Sequence, residues 1–177
     1  MTWDRRDRPT NAASGFYLDA EIKPFLGFDT TDSGVRATFD GRLYRSIGAP
    51  GRIVLATRVQ AGAVLAADLL DTPRDELYFS GGGGTVRGQP YRSLCVPITK
   101  GIGPEFLIGG TYFLAGSAGI RAIVTKRIGL VGFIDARRVG VNGFFDDIGD
   151  WHAGAGPGLR YDTIRGLGRS GLTWPHP

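Results

Sequence analysis

The sequence has few of the side chains that metal sites and disulfides need. Its 177 residues include one cysteine and two histidines, so an internal disulfide is excluded and no metal-ligand spacing exists. Methionine occurs only at position 1. Blocks of the helix-favouring residues Ala, Leu, Glu and Lys are missing. We therefore expect no metal, no cofactor and an all-β protein.

Concentrated positive charge is also missing. Lysine and arginine number 21 against 17 acidic residues, and the sequence pI is about 9.5. A basic pI is typical of nucleic-acid-binding proteins. Here the arginines are spread along the chain at alternate positions and form no basic run. We predict no nucleic-acid partner, and because no nucleophile–base constellation occurs, we predict no enzyme.

Glycine and period-two alternation are what the sequence has in abundance. There are 29 glycines in 177 residues, whereas the usual share is about 7%. Apolar and polar residues alternate over Phe16–Phe28, Val35–Ile47, Arg52–Leu65, Thr111–Thr125, Leu130–Val139 and Trp151–Asp162. Strands of globular proteins usually have about 5–6 residues. A tilted membrane strand needs about 9–11 residues, so the lengths predict an antiparallel meander forming part of a transmembrane β-barrel.

Two segments interrupt this pattern. From about residue 67 to 110 the chain is rich in Gly and Pro, and loops of that length are usually functional. After Thr163 the alternation decays, and we interpret residues 164–177 as an aberrant tail. We expect one partial-barrel domain over residues 1–177. Aromatic residues at four strand positions suit interfacial belts and ordinary strand packing equally well: Trp3, Tyr44, Trp151 and Tyr161.

The long loop contains the most specific motif, Tyr78-Phe79-Ser80-Gly81-Gly82-Gly83-Gly84-Thr85-Val86-Arg87-Gly88-Gln89-Pro90-Tyr91-Arg92-Ser93-Leu94. It is not a phosphate loop, because no Gly-Lys-Ser/Thr follows the glycines. It resembles the Gly-Gly-x-x-x-Val-Arg-Gly-Tyr/Phe-x-Tyr-x-Ser-Leu signature of the bacterial surface-antigen family, which includes BamA and TamA. The matching positions are Gly81, Gly82, Val86, Arg87 and Gly88.

Three further stretches resemble motifs of this family in the expected order. Residues 4–17 resemble its Asp-x-Arg-Asp-x-Pro…Gly-Tyr segment before a strand. Residues 131–136 resemble its Phe-x-Asp-x-Gly strand motif, and residues 156–163 resemble its late Gly-x-Gly-Leu-Arg-Tyr strand. The resemblance thus extends from the N-terminus to about Thr163.

The family resemblance implies that the long loop is extracellular and folds back into the barrel lumen. It also implies that Arg87 pairs there with Asp135, on a strand face that carries Phe133. A guanidinium in a lumen needs a planar acceptor such as a carboxylate. We predict a structural clamp without a catalytic role. The alternative, two solvated charges without contact, stays open.

The implied function is an outer-membrane protein assembly, insertion or translocation factor in the bacterial outer membrane. Its partners would be unfolded outer-membrane proteins and outer-membrane lipid, without a cofactor. A passive porin-like or ligand-binding β-barrel is the first alternative. A soluble β-sandwich enzyme or lipid-binding protein is the second, and it predicts shorter strands with the apolar face turned inward.

Several departures from the family pattern suggest an incomplete or truncated gene product. The family's signal peptide, periplasmic POTRA domains and early strands do not precede this region, which predicts an open curved sheet with unpaired edges. Residues 166–177 differ from the family's closing strands, and a shifted reading frame over Arg169–Trp174 can encode Val-Arg-Leu-Asp-Leu-Ala. A frameshift is therefore a hypothesis. Single-residue departures are Gln89, Gly119, Arg137 and Arg138.

Overall fold

The computed structural model describes residues 1–28, 31–49, 51–66, 71–78, 96–98, 106–125, 127–145, 151–163 and 166–171. The strands are, in chain order, β1 Thr2–Asp4, β2 Gly15–Phe25, β3 Gly34–Ile47, β4 Ile53–Leu65, β5 Val96–Ile98, β6 Phe106–Ile108, β7 Tyr112–Ile123, β8 Ile128–Gly140, β9 Trp151–Thr163 and β10 Gly166–Gly171. In these ranges, no helix has the length and apolar character to span a membrane.

Eight of the strands form one antiparallel sheet in the order β1-β2-β3-β4-β7-β8-β9-β10. Among the described residues, strands β5 and β6 pair with each other and interrupt the meander between β4 and β7. The sheet is open, with β1 and β10 as its outer strands in the described part of the chain. The predicted all-β antiparallel meander is confirmed.

The strands of the sheet are long. Strand β2 has 11 residues, β7 has 12, β4, β8 and β9 have 13 each, and β3 has 14. Globular proteins usually use strands of about 5–6 residues, and a tilted membrane strand needs about 9–11. The six long strands therefore have the length of membrane strands, as the alternation predicted.

Several predicted strand bounds were wrong. Strand β2 ends at Phe25 because the amides of Gly27 and Phe28 donate to the hydroxyls of Ser33 and Thr31, at 3.0 and 2.9 Å. Strand β8 starts at Ile128, two residues before the predicted Leu130. The β-strands β1, β5, β6 and β10 were not predicted, since short backbone pairing requires no alternation of side chains.

The register gives the sheet one apolar and one polar face. Side chains of the apolar face are exposed along the whole sheet: Ile22 75%, Leu43 55%, Val59 50%, Ile120 46%, Ile134 56% and Leu159 59%. A β-sandwich would bury these rows against a second sheet. Their exposure, together with the strand lengths, argues against the soluble sandwich and suits contact with lipid.

Aromatic residues mark both ends of the apolar face. Trp151 begins β9 and is 50% exposed, whereas Trp3 and Tyr161 lie toward the opposite end and are 51% and 48% exposed. Tyr44 is not on this face. It pairs with Gly15 and Ala56 on the polar face, because it stands an even number of residues from Asp40.

The connections differ between the two ends of the sheet. At one end, β3 joins β4 through residues 48–52 and β7 joins β8 through residues 124–127. Gly48 and Gly51 have φ angles of 72° and 77°, a conformation that favours glycine. We call this the short-turn end. The opposite, long-loop end contains residues 26–33, 66–111 and 141–150.

Candidate functional site on the polar face

An ion cluster occupies the middle of the polar face. Asp40 accepts from Arg42 Nε and Nη2 at 3.2 and 2.7 Å, and from Arg58 Nε and Nη2 at 2.9 and 2.6 Å. Asp40 and Arg42 stand two residues apart on β3, and the register places Arg58 of β4 directly opposite Arg42. One carboxylate therefore bridges two like charges with two planar forks.

Tyr17 extends this cluster toward the N-terminus. The guanidinium carbon of Arg42 lies 4.9 Å from the centre of the Tyr17 ring, and that of Arg6 lies 4.8 Å from it. Arg6 is in turn bound by Asp4, whose oxygens accept from Nε and Nη2 at 2.9 and 2.6 Å. Cation–π contacts of this kind fix an aromatic ring between two charges.

Residues 5–14, here called the strap, cross the polar face at the short-turn end. Arg121 of β7 donates from Nη1 to Asn11 Oδ1 at 2.9 Å and from Nη2 to the Ala12 carbonyl. Ser46 of β3 donates to the Ala13 carbonyl at 3.0 Å. Ala12 is 3% exposed. The strap thus reaches from β2 across two strands to β7.

Asp7 holds the bend of the strap. Its Oδ1 accepts from the amides of Ala13 and Ser14 at 2.9 and 3.2 Å. The Ala13 amide is the main reason that the pKa of Asp7 lies below its usual value. Between the strap and the sheet is a cavity of about 330 Å³ that Arg8, Arg121 and Arg127 help to line.

The described start of the long loop, residues 71–78, lies on the polar face at the long-loop end. Glu76 accepts from Lys23 Nζ at 2.5 Å and from Arg36 Nη1 at 3.5 Å. The hydrogen bond from Lys23 is the main reason that the pKa of Glu76 lies below its usual value, and Arg36 lowers that pKa further. Glu76 is 8% exposed, so the sheet covers it although it belongs to a loop.

Tyr78 is the second contact between this loop and the sheet. Its hydroxyl donates to the Ala37 carbonyl at 2.9 Å, and its ring stacks on Phe113 with centroids 5.7 Å apart and planes at 15°. The Arg36 guanidinium lies 4.5 Å from the ring centre. Burial raises the pKa of the Tyr78 hydroxyl, which therefore stays protonated and donates.

Strand β8 carries the predicted partner of the loop motif. Asp135 is 2% exposed and stands between Ser117 of β7 and Gly154 of β9 on the polar face. Phe133, two residues earlier on the same face, is 9% exposed. Both side chains therefore lie on the polar face, where the predicted pairing with the loop would need them. The motif residues Gly81, Gly82, Val86, Arg87 and Gly88 lie outside the described residues, so the Arg87–Asp135 clamp stays a prediction.

The sequence analysis did not single out the ion cluster, the strap contacts or the loop start. The pairing of Asp40 with Arg58 could have been found from the register, because aligned strands place Arg58 opposite Arg42 and diagonal to Asp40. The contact of Arg121 with Asn11 joins residues 110 positions apart, and no local pattern announces it. Tyr78 stood at the edge of the quoted motif without an assigned role.

The architecture defines an open antiparallel sheet of the transmembrane β-barrel class, and the comparisons agree. The Omp85 superfamily domain matches residues 1–176, so the chain belongs to that superfamily, whose members are outer-membrane proteins. The predicted family resemblance is confirmed. Comparison with curated protein sequences gave no match.

A solved structure has the same fold. It is the crystal structure of BamA from Haemophilus ducreyi lacking POTRA domains 1–3, with a TM-score of 0.75 and 20% sequence identity. The match covers 98% of this chain and 37% of that one, so the chain spans little more than a third of the protein that it resembles. Since that match is to a barrel protein, the polar face corresponds to the face toward the lumen.

Proposed function

We propose that the chain works in the assembly or translocation of outer-membrane proteins, as part of a β-barrel in the bacterial outer membrane. It acts without catalysing a reaction of its own. The observation that carries this proposal is the combination of a lipid-suited apolar face with a polar face that holds the start of a long loop, in a chain of the Omp85 superfamily. The Val86-Arg87-Gly88 motif of that loop, which resembles the signature of assembly and translocation factors, favours this function over a passive pore.

The proposed partners are unfolded outer-membrane proteins and membrane lipid. The exposed apolar side chains of the sheet support membrane lipid as a partner, and membership of the Omp85 superfamily supports outer-membrane protein clients.

Reconstitution tests the proposal. The chain is placed in phospholipid vesicles, and the folding rate of a urea-unfolded outer-membrane barrel protein is followed by its electrophoretic mobility shift. We expect faster folding than in empty vesicles. The passive-pore alternative predicts uptake of small sugars without faster folding, and that result would refute the assembly role.

We further propose that Arg87 of the loop motif pairs with Asp135 beside Phe133, with Gly81, Gly82, Val86 and Gly88 allowing the backbone to approach. The burial of Asp135 supports this clamp, because a buried carboxylate requires hydrogen-bonding partners. The planar guanidinium of arginine matches it.

A double-mutant cycle tests the clamp. Asp135→Ala and Arg87→Ala are each expected to lower the free energy of unfolding by about 3–5 kcal/mol, because each leaves a charge buried without its partner. The double variant should cost much less than the sum. Asp75→Ala, on an exposed loop residue, is the control. Additive effects of the two substitutions would refute the pair.

A further inference from the structure

The two ends of the long loop are joined to each other at the long-loop end. The amide of Tyr78 donates to the Gly110 carbonyl and the amide of Gly110 donates to the Tyr78 carbonyl, both at 2.9 Å. Thr111 follows directly, and its carbonyl accepts from the Val64 amide of β4 at 2.7 Å. Its hydroxyl donates to the Val141 carbonyl beyond β8. The two described ends of the loop, Tyr78 and Gly110, therefore meet at one point on the sheet.

The Tyr78 side of this junction fits into a space that only glycine leaves open. A Cβ atom at Gly62 of β4 would stand 2.4 Å from Cζ and 2.6 Å from the hydroxyl of Tyr78. No side chain can share that volume with the ring. The ring is meanwhile fixed by its stacking on Phe113 and by its hydrogen bond to Ala37. The glycine is thus required for space in the middle of a strand.

The Gly110 side rests on a second strand in the same way. A Cβ atom at Gly110 would stand 2.3 Å from the Gly140 carbonyl oxygen and 2.5 Å from Cγ1 of Val139. Both neighbours belong to the end of β8, the strand that also carries Asp135. The loop ends are therefore seated on β4 and on β8, on either side of β7.

We propose that Tyr78 and Gly110, seated against Gly62 and Gly140, are positioning residues that direct the long loop toward the lumen independently of the Arg87–Asp135 pair. We call these four residues the loop base. The role of the loop base in holding a lumenal loop rests on the proposed function. The contacts that form the loop base do not depend on that function. Fixing both ends of the loop reduces the number of conformations that the free loop can adopt. Less conformational entropy is therefore lost when Arg87 binds its acceptor.

Hydrogen exchange of the amides of residues 78 and 110 in detergent micelles tests the loop base. Gly62→Ala should displace the Tyr78 ring and raise both exchange rates on the order of tenfold, as overpacked contacts do. Gly116→Ala on the neighbouring strand is the matched control, since a Cβ there meets nothing within 4 Å. Equal exchange in Gly62→Ala and the parent chain would overturn the proposal.

A second substitution shows whether the effect comes from the ring. Tyr78→Ala removes the side chain that the new methyl group would strike, so adding Gly62→Ala to it should change the exchange rates no further. Independent, additive increases would overturn the proposal. If Gly62→Ala does not fold, Tyr78→Phe serves instead. It keeps the stacking and loses the bond to Ala37, and unchanged exchange in that variant counts against the loop base.

Arg87→Ala separates the loop base from the clamp. We expect the amides of residues 78 and 110 to keep their protection in that variant, because the two amides bind each other's carbonyl groups. Loss of protection would overturn the independence that we propose. No client protein enters these measurements. A failed assembly assay would therefore refute the proposed function while leaving the loop base intact.

Discussion

At the scale of single residues, the polar face is organised by acids that each hold two cations. Asp40 binds Arg42 and Arg58, and Glu76 binds Lys23 and Arg36. In both cases the two cations come from neighbouring positions of the sheet and would repel one another without the acid between them. The acids therefore determine whether adjacent strands, or a strand and a loop, can lie together.

The central acid gives the first prediction. Asp40→Asn keeps the shape of the side chain but leaves Arg42 and Arg58 facing each other, so we expect the free energy of unfolding to fall by about 1.5–3 kcal/mol. The measurement is urea unfolding of the chain in detergent micelles. Adding Arg58→Gln should recover part of the loss by removing one of the two like charges. A double variant no more stable than Asp40→Asn would contradict the bridging role.

The second acid gives a dependence on pH. The folded-state pKa of Glu76 is lowered by its hydrogen bond from Lys23 and then by Arg36, so its contribution is complete above the unfolded value of about 4.3. It is lost as the pH falls through the lowered folded value. Residues 71–78 should therefore loosen from the sheet in acid below about pH 4 and stay attached at neutral pH.

A spin label at residue 75 measures this loosening. The label is attached to Asp75→Cys in a Cys95→Ser background, because residue 75 is exposed and Cys95 is the only other thiol. Its mobility should rise as the pH is lowered. Glu76→Gln has no charge to lose, so its label should show no such step in the same window. An identical step in both variants would assign the change to other groups.

At the scale of elements, the strap is the feature that most changes the surface of the sheet. It depends on one side chain of β7, since Arg121 binds both Asn11 and the Ala12 carbonyl. Arginine can reach two acceptors at once through its rigid fork, which a lysine ammonium cannot reproduce.

The strap contact gives the third prediction. The amides of Ala13 and Ser14 donate hydrogen bonds to Asp7. Arg121→Ala should raise the hydrogen-exchange rates of these two amides on the order of tenfold. Arg121→Lys should restore only part of the protection. Arg127→Ala, an exposed arginine of the nearby β7–β8 turn, is the control. Unchanged exchange in Arg121→Ala would mean that the strap is held by Ser46 and Asp7 alone.

The sequence predicted where the long strands lie and which side chains share a face. It could do so because alternation of apolar and polar residues reflects the different surroundings of the two faces. Every long strand of the sheet was anticipated, and Asp135 and Phe133 lie on the anticipated face. Strand ends were less accurate, since a few hydroxyls such as those of Thr31 and Ser33 can terminate a strand that its side chains would continue.

The contacts that fix the loop and the strap were not predictable, for a different physical reason. A glycine such as Gly62 indicates that something approaches closely, but its lack of a side chain gives no information about which residue does so. Likewise, Arg121 looks like any other arginine on an alternating strand. Only the pairing of β2, β3, β4 and β7 in one sheet brings the distant strap next to Arg121.

At the scale of the whole molecule, the two faces of the sheet require opposite surroundings. The apolar face exposes large side chains along six strands, while the polar face holds its charges in pairs and clusters. Water on both sides would leave the apolar face as an aggregation-prone surface. Lipid on that side and water on the other satisfy both faces, which is the arrangement of a membrane barrel wall.

This arrangement gives the last prediction. Val59 and Gln60 are consecutive residues near the middle of β4, and the register directs Val59 to the apolar face and Gln60 to the polar face. Val59→Arg should lower the free energy of unfolding in vesicles by about 2–4 kcal/mol, because it places a charge near the centre of the bilayer. Gln60→Arg, beside Asp40, should change it by less than about 1 kcal/mol. Folding is followed by the electrophoretic mobility shift in vesicles against urea. Because the two sites share a strand and a depth, any general effect of arginine on that strand would appear equally in both, and equal losses would contradict the assignment of the apolar face to lipid.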